Sequence, residues 1–335
     1  MEPKRGRPVT RADVARAAGV SGPSVSVALN GSRTGRVSEE TRQRILRVVE
    51  ELGYVPNNAA RTISGRKSHN IGVLAPWTAS TWYFAHMLDG VGSAAAERHY
   101  GVVLCEPLPA KGTPKGCIRF FRERRFDGVV YMPPDTAVMP GLSALRAAGI
   151  PTVICNGADP GGELDYAVMD YAFGMAAAAE EMYGKGFREF LYIFPQDPAI
   201  LCSGDRERFS GFRQGIPFPD AHLTTAVMEE QTSAEKSIRQ GQELLSRFSG
   251  PVGVAASVQR NACFLLQAAL RMGKKPGKDL FLVSGDDPVD FLPDIRSIHL
   301  PFFDVGKTAA SRLIEQLEGN NSLSRGIRIP EKQTF

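Results

Sequence analysis

From Ile71 onward, short runs of β-branched residues alternate with longer helical stretches. Seven runs, among them NIGVLAP, YGVVLCEP and FDGVVYMPP, precede turn-forming residues, and stretches such as YAFGMAAAAEEMYGKG lie between them. Strands that alternate with helices indicate parallel sheets with helices on both faces. About 265 residues suffice for two such units, so we expect an α/β core of two doubly wound parallel sheets.

The first 70 residues have a different charge balance from the rest of the chain. They contain 13 Lys and Arg against 6 Asp and Glu, whereas residues 71–335 contain 27 against 30. A basic head on a mildly acidic body indicates that the head meets a polyanion. A solvated basic tail is the alternative that charge alone leaves open.

Two further features indicate a cytoplasmic protein without a membrane partner. No apolar run approaches the roughly 18 residues that span a bilayer, and the basic N-terminus lacks the apolar stretch of a secretory signal. The five cysteines are widely spaced and form no C-x-x-C pair. Reduced thiols are therefore expected, rather than a disulfide framework or a zinc site.

Three helices are predicted in the head. Thr10 caps the first, with Asp13 three residues later as in a capping box. Ser21 caps the second, and Pro23 falls in its first turn, where the missing N–H costs nothing. Ser38 caps the third. Because the first two are short and joined by a turn that contains glycine, they form a helix-turn-helix.

The head and the start of the core resemble a known family. VTRADVARAAGVSGPSVSVALNG, RVSEETRQRILRVVEELGYVPNNAARTISGRKS and IGVLAP are similar to the LacI/GalR family of bacterial transcription regulators. The match is nearly residue for residue in the head and looser along the body. The resemblance implies a helix-turn-helix headpiece at 1–55, a hinge helix and linker at 56–70, and a periplasmic-binding-protein-like effector-binding and dimerisation core at 71–335. Its two lobes are expected at approximately 71–167 plus 304–325 and 168–303 plus 326–335.

The resemblance also implies how the head meets double-stranded DNA. The second helix lies in the major groove, and the hinge from Asn57 to Ser64 folds when two copies meet over the minor groove. Ile63 stands where the family has a leucine that wedges between base pairs, a kink that costs about a few kcal/mol of unstacking. The predicted DNA contacts are Arg5, Arg7, Thr10, Ser21, Gly22, Pro23, Ser24, Ser26, Val27, Asn30, Asn57, Ala60 and Ile63.

The second helix has few groups that can read a base. Gly22, Pro23 and Val27 occupy the positions at which this family presents base-reading side chains, and none of them can form a bidentate bond to guanine or adenine. We therefore expect much of the specificity to come from elsewhere. The candidates are the kink at Ile63 and the basic arm at residues 4–8, which resembles an AT-hook or serves as a phosphate anchor.

Five core residues are predicted to contact an effector. Trp77 and Phe84 follow the first strand and could stack on a sugar or a base, and Asn156 ends a strand. The resemblance assigns Arg208 and Asp286 to the effector, and ligands of such folds collect at the carboxyl ends of strands. An ion pair at Arg208 and a helix cap at Asp286 are the structural alternatives.

Three cleft positions depart from the family pattern. They are Val258-Gln259, Ser284-Gly285 and His299-Leu300, where many members have other polar or aromatic residues. A typical sugar is therefore a less secure effector, and another ligand, or none, is the alternative.

Enzymatic function is the main alternative class, and a solute-binding protein on the same two-lobed fold is the other. Val305-Gly306-Lys307-Thr308 resembles the end of a P-loop, but Pro301 stands where that motif requires glycine. The five histidines show no metal-ligand spacing, and no G-x-S-x-G elbow occurs. The resemblance therefore implies a non-enzymatic repressor without cofactor or metal, acting as a homodimer on a near-palindromic operator and modulated by a small molecule between the lobes.

Overall fold

The chain divides into two units, at Met1–Ser68 and His69–Phe335, in a computed structural model. Within these units, no helix of the described residues is both long and apolar enough to cross a membrane. The structure describes residues 9–29, 37–54, 67–76, 82–107, 112–135, 139–159, 161–229, 233–286, 292–320 and 326–333.

The first unit contains three helices, α1 at Arg11–Ala18, α2 at Gly22–Leu29 and α3 at Glu39–Leu52. The predicted capping box of α1 is present: the Thr10 hydroxyl accepts the Asp13 amide at 3.4 Å, and the Asp13 carboxylate accepts the Thr10 amide at 3.0 Å. Ser38 caps α3 by accepting the amide of Thr41 at 3.3 Å. The helix starts predicted from local sequence are therefore confirmed at α1 and α3.

The three helices bury one shared core. Val14, Val25 and Ile45 are fully buried, one from each helix. Helices of 8 to 14 residues are too short to persist alone in water, so this contact between them holds the unit together. Partly buried residues that surround it are Val9, Val20, Leu29, Val37, Val48, Val49, Leu52 and Tyr54.

The second unit alternates strands and helices, as predicted. Its strands are β1 Asn70–Leu74, β2 Gly101–Leu104, β3 Gly128–Tyr131, β4 Thr152–Cys155, β5 Tyr166–Asp170, β6 Glu189–Phe194, β7 His222–Val227, β8 Val252–Ala256, β9 Leu280–Ser284, β10 Ile295–His299, β11 Gly326–Pro330 and β12 Lys332–Gln333. Its α-helices are α4 Trp82–Glu97, α5 Lys115–Arg122, α6 Leu142–Ala147, α7 Phe173–Gly184, α8 Ser203–Gln214, α9 Ala234–Leu245, α10 Gln259–Arg271 and α11 Phe302–Glu318.

These strands form two six-stranded sheets, one in each lobe. The first has the order β11-β5-β4-β3-β1-β2 and is parallel throughout. The second has the order β12-β10-β9-β8-β6-β7 and is parallel except where β12 pairs antiparallel with β10. Central strands such as β3, β4 and β8 are buried along their whole length. The helices therefore cover both faces of each sheet.

The predicted lobe boundary is wrong near the C-terminus. Residues 326–335 were expected in the second lobe, but β11 pairs with β5 in the first sheet, and only β12 joins the second. Residues 168–170, the end of β5, were also expected in the second lobe but lie in the first sheet. The alternation in GIRIP indicates a strand, but it carries no information about which sheet edge the strand will join.

Helices α4 and α11 approach each other closely in the first lobe. A Cβ on Gly90 would overlap the carbonyl oxygen of Phe303, and a Cβ on Gly306 would overlap that of Met87. Only glycine allows the two backbones to approach this closely. Gly306, in the stretch that resembles part of a P-loop, is therefore a packing residue.

Candidate functional site

The outward surface of α2 carries small, uncharged side chains. Ser21 and Pro23 are exposed, and Gly22, Ser24 and Val27 are half-buried. The helix sequence GPSVSVAL contains no charged or amide side chain. Within α2, only hydroxyls, a proline ring and a valine are therefore available to a DNA groove.

Two predicted DNA contacts also serve as helix caps. The hydroxyl of Ser21 accepts the amide of Ser24 at 3.3 Å and lies 2.8 Å from the Ser24 hydroxyl. The hydroxyl of Thr10 donates to Asp13 at 2.6 Å. Helix N-termini of this kind attract phosphate groups. The contacts of these residues with DNA stay a prediction.

Seven predicted site residues lie outside the described residues. They are Arg5, Arg7, Asn30, Asn57, Ala60 and Ile63 of the predicted DNA surface and Trp77 of the predicted effector site.

Arg11 of α1 lies beside the surface of α2, and the sequence analysis missed it. Its Nη1 donates to the hydroxyl of Ser26 at 3.1 Å, and its Nε lies 3.5 Å from the position that a Cβ on Gly22 would take. No local pattern predicts this contact, because it joins two helices. The absence of a side chain at Gly22 is the one sequence signal that could have pointed to it.

A cavity of about 230 Å³ lies between the two lobes of the second unit. Asn156 and Tyr171 follow the ends of β4 and β5, and Asp286 follows the end of β9. The carboxyl ends of parallel strands thus supply polar groups from both lobes, as expected for this kind of fold. The lining residues are Tyr83, Pro133, Pro134, Asp135, Asn156, Tyr171, Cys202, Gly204, Arg208, Asp286, Leu300 and Phe302.

Arg208 is the buried cation of this cavity. It lies on α8, where its Nη1 donates to Asp205 at 3.2 Å and its guanidinium carbon lies 4.7 Å from the centre of the Tyr171 ring. Among the residues that the structure describes, its Nε has no hydrogen-bond partner. Burial lowers the pKa of Arg208, but Tyr171, Glu331 and other nearby acidic groups raise it by more than burial lowers it. The pKa of Arg208 is therefore above its ordinary value, and the side chain stays charged. A buried guanidinium with an unused donor is suited to an oxygen-rich or anionic ligand.

Asp286 both lines the cavity and caps a helix. Its carboxylate accepts the amide of Gln259, the first residue of α10, in a short hydrogen bond, and it accepts the Ser284 hydroxyl at 3.4 Å. Burial raises the pKa of Asp286, and the positive charge of Arg208 opposes that rise. Asp286 therefore caps α10 and lines the cavity at the same time.

Asn156 lines the cavity, and its contact with an effector stays a prediction, whereas Phe84, which was predicted at the effector site, lies in the core. The Oδ1 of Asn156 accepts the Tyr171 hydroxyl at 3.1 Å. Phe84 is 4% exposed and packs in the core of the first lobe. Its neighbour Tyr83 lines the cavity instead, with its ring stacked 5.7 Å from that of Phe302. Adjacent helical residues point about 100° apart, so an error of one residue exchanges a cavity position for a core position.

Glu331 is a buried carboxyl that the sequence analysis did not identify. It is 2% exposed and lies between β11 and β12, where the chain passes from the first sheet to the second. Burial raises the pKa of Glu331 to about 8, although Arg208 and the amide of Gly174 oppose the rise. The described residues of the unit contain no cluster of three or more His, Cys, Asp or Glu that could hold a metal ion.

Two segments of the chain match known families. Residues 10–57 match the bacterial regulatory proteins of the lacI family, and residues 179–334 match the periplasmic binding protein-like domain. The chain belongs to the LacI family of bacterial regulatory proteins. The fold class, a helix-turn-helix unit followed by two parallel-sheet lobes, is that of this family.

The LacI-family chain is similar to curated transcription regulators over nearly its whole length. It is 25% identical over 311 residues to the HTH-type transcriptional repressor PurR of Vibrio vulnificus, an alignment that covers 91% of each chain. It is 27% identical over 331 residues to catabolite control protein A of Streptococcus mutans, covering 96% of each. These relatives are regulators rather than enzymes, and this chain is a LacI-family transcription regulator.

Solved structures share the fold at lower identity. A Lac repressor dimer bound to operator and the anti-inducer ONPF matches with a TM-score of 0.75 and 22% identity over 98% of each chain. The complex of the transcriptional regulator CelR with cellobiose matches with a TM-score of 0.61 and 23% identity, over 98% of this chain and 99% of that one.

Proposed function

We propose that this LacI-family regulator is a homodimeric repressor that responds to a small molecule bound between the lobes of its second unit. The observation that carries the proposal is the convergence of Arg208, Asp286 and Asn156 on one interlobe cavity, in a chain that also has a helix-turn-helix. A metabolite that occupied the cavity would contact both lobes and could change their arrangement.

The chemistry of the cavity favours a small polar ligand. Arg208 supplies a fixed positive charge, Asp286 a carboxyl and Asn156 an amide, while Tyr83 and Phe302 supply stacked rings. A few convergent polar groups within an aromatic wall are typical of metabolite sites. A sugar, like the cellobiose of the CelR complex, or another metabolite of similar size would satisfy these groups.

A homodimer on a near-palindromic operator is supported by the fold. The Lac repressor, whose fold this chain shares, was crystallised as a dimer bound to operator. Two identical helix-turn-helix units bind half-sites related by the same two-fold symmetry as the dimer. The headpiece at 1–55, the hinge at 56–70 and the wedge at Ile63 belong to this proposal. The effector acts only through unequal affinity for the DNA-bound and free states.

The DNA-binding part is tested by selection from a random duplex pool with the full-length chain. We expect enrichment of an inverted repeat whose half-sites are separated by about one or more helical turns. Sedimentation of the complex with one selected duplex should give two chains for each duplex. A chain that enriches no sequence, or that binds the selected site as a monomer, contradicts the proposal.

The effector part is tested by a thermal-shift screen of sugars, nucleobases and other metabolites with the same protein. A ligand at 100 times its Kd stabilises the folded state by about 2.7 kcal/mol. Arg208→Lys should abolish the shift caused by any hit, because an ammonium lacks the planar fork of the guanidinium. The matched control is Arg213→Ala, at an exposed position in the last turn of the same helix. A hit that shifts Arg208→Lys as strongly as the wild type places the ligand elsewhere.

A further inference from the structure

We propose that Arg11, on the first helix, supplies the base-reading donors of the helix-turn-helix and recognises a guanine in each half-site. The inference rests on the proposed DNA-binding function and names the residue that sets specificity at that surface. It answers a difficulty that the sequence raises, since no side chain of α2 can form a bidentate bond to a base.

The position of Arg11 is set by two residues of α2. Its Nη1 donates to the hydroxyl of Ser26 at 3.1 Å, and Ser26 lies one turn after Gly22 on the same helix face, with its hydroxyl 3.4 Å from the Gly22 carbonyl oxygen. A Cβ on Gly22 would lie 3.5 Å from the Arg11 Nε and 4.0 Å from its guanidinium carbon. The guanidinium therefore lies over the first turn of α2, within van der Waals reach of a side chain at position 22.

The chemistry of a guanidinium fits a guanine edge. Its five N–H donors form a planar fork, so the bond to Ser26 leaves donors for a second partner. The major-groove edge of guanine presents the O6 and N7 acceptors, which an arginine engages with two parallel hydrogen bonds. Gly22 and Ser26 carry no side chain long enough to obstruct that approach. Arg11 thus provides at the start of α2 the recognition group that α2 lacks.

The partner of Arg11 differs from those of two other arginines in the unit. Arg16 approaches the carboxylate of Asp13 at 3.4 Å, and Arg42 that of Glu39 at 3.8 Å. Within the part of the chain that the structure describes, Arg11 is exposed and is held instead by a neutral hydroxyl. A neutral partner fixes the direction of the guanidinium without compensating its charge, which suits a group that must engage an electronegative base edge.

Selection from a random duplex pool, repeated with variants of the full-length chain, tests the proposal. The wild type should enrich a guanine at one fixed position of each half-site. Arg11→Ala should lose the preference at that position alone and bind the wild-type consensus about 10- to 100-fold more weakly. Arg11→Lys should retain non-specific binding but lose most of the preference, since an ammonium cannot form the bidentate pair. Arg16→Ala is the matched control, because it removes an exposed arginine from the same helix, and it should leave the preference intact.

A second variant tests the position without altering Arg11. Gly22→Leu extends a side chain from a Cβ that lies 3.5 Å from the Arg11 Nε, so it should displace the guanidinium and reproduce the loss of preference caused by Arg11→Ala. Circular dichroism should give the same helical content for all variants, since both positions lie outside the buried core.

The results for the wild type and for Arg11→Ala distinguish a failure of the Arg11 proposal from a failure of the proposed DNA-binding function. If Arg11→Ala enriches the same sequence as the wild type, or weakens the consensus and a base-substituted duplex equally, Arg11 is a phosphate contact and this proposal is wrong while the proposed function stands. If the wild type itself enriches no sequence, the proposed function fails, and the role of Arg11 fails with it.

Discussion

The two units each offer an arginine for recognition, and the two arginines differ in burial. Arg11 in the first unit is exposed and bonds to one hydroxyl. Arg208 in the second unit is 8% exposed and lies among Asp205, Asp286 and Glu331. An exposed ion keeps its hydration and contributes little to stability, whereas a buried ion is tolerated only with partners. Replacing Arg11 should therefore change DNA recognition without changing the stability of the first unit, whereas replacing Arg208 should change both ligand binding and the stability of the second unit.

The largest effect is expected from removing the buried arginine. Arg208→Ala leaves several buried acidic groups without their cation and should lower the free energy of unfolding of the second unit by about 3–5 kcal/mol. Denaturant titration followed by circular dichroism measures this. Arg11→Ala and the exposed Arg213→Ala should each change stability by less than about 0.5 kcal/mol. Equal losses for Arg208→Ala and Arg11→Ala would remove the distinction between the units.

The second prediction concerns the pH dependence that Glu331 introduces. Because burial raises the pKa of Glu331 to about 8 from 4.5, the folded state holds a proton that the unfolded state releases at lower pH. Its stabilising contribution is complete below about pH 4.5 and is lost as the pH rises through 8, a change of roughly a few kcal/mol.

Glu331→Gln should remove this slope and make the second unit more stable than wild type at pH 9. The measurement is denaturant titration at several pH values between 5 and 9. Glu180→Gln, at an exposed position of α7, is the control and should leave the slope unchanged. A slope that persists in Glu331→Gln belongs to another group.

A smaller effect is expected where two helices touch. Gly306→Ala forces a methyl group against the Met87 backbone in α4 and should destabilise the first lobe by about 1–3 kcal/mol. Gly92→Ala is the matched control, since a Cβ there meets none of the described residues within 4 Å; it should be neutral or slightly stabilising because alanine favours helix. Melting temperatures from calorimetry compare the two. A neutral Gly306→Ala would show that the helices can separate without cost.

The smallest effect is expected in the first unit, where a local cap rather than a buried charge is removed. Thr10→Ala breaks the capping box of α1 and should cost about 1 kcal/mol. Thermal melting of the first unit's transition measures it, and Thr10→Ser, which keeps the hydroxyl, should restore most of the loss. A cost as large as that of Arg208→Ala would contradict the view that this unit depends on local interactions.

Much of the fold could be predicted because its signals are local. Thr10 with Asp13, and Ser38, mark helix starts through bonds that span three residues. Alternating strand and helix patterns indicated the two parallel sheets. Short strands such as β5 and β10 were not recognised, because YAVMD and IRSIH are brief and partly polar and depend on their neighbours in the sheet.

The candidate site was predicted in part, from family resemblance and strand ends rather than from local capping and alternation signals. The resemblance indicated Arg208 and Asp286, and the end of a strand indicated Asn156; all three line the interlobe cavity. Phe84 was misplaced because the rotation of α4 against the sheet depends on packing. Glu331 was missed because nothing in IPEKQ indicates a crossing between two sheets.

By itself, the sequence determined the helix caps, the alternation of strands and helices, the charge difference between the two units, and the absence of a base-reading side chain from GPSVSVAL. These properties depend on residues a few positions apart. Only the tertiary structure decided that Arg11 reaches Ser26, that β11 joins the first sheet, and that Glu331 is buried beside Arg208. Such contacts join residues that are distant along the chain, and they form only when packing of the apolar faces brings those residues together.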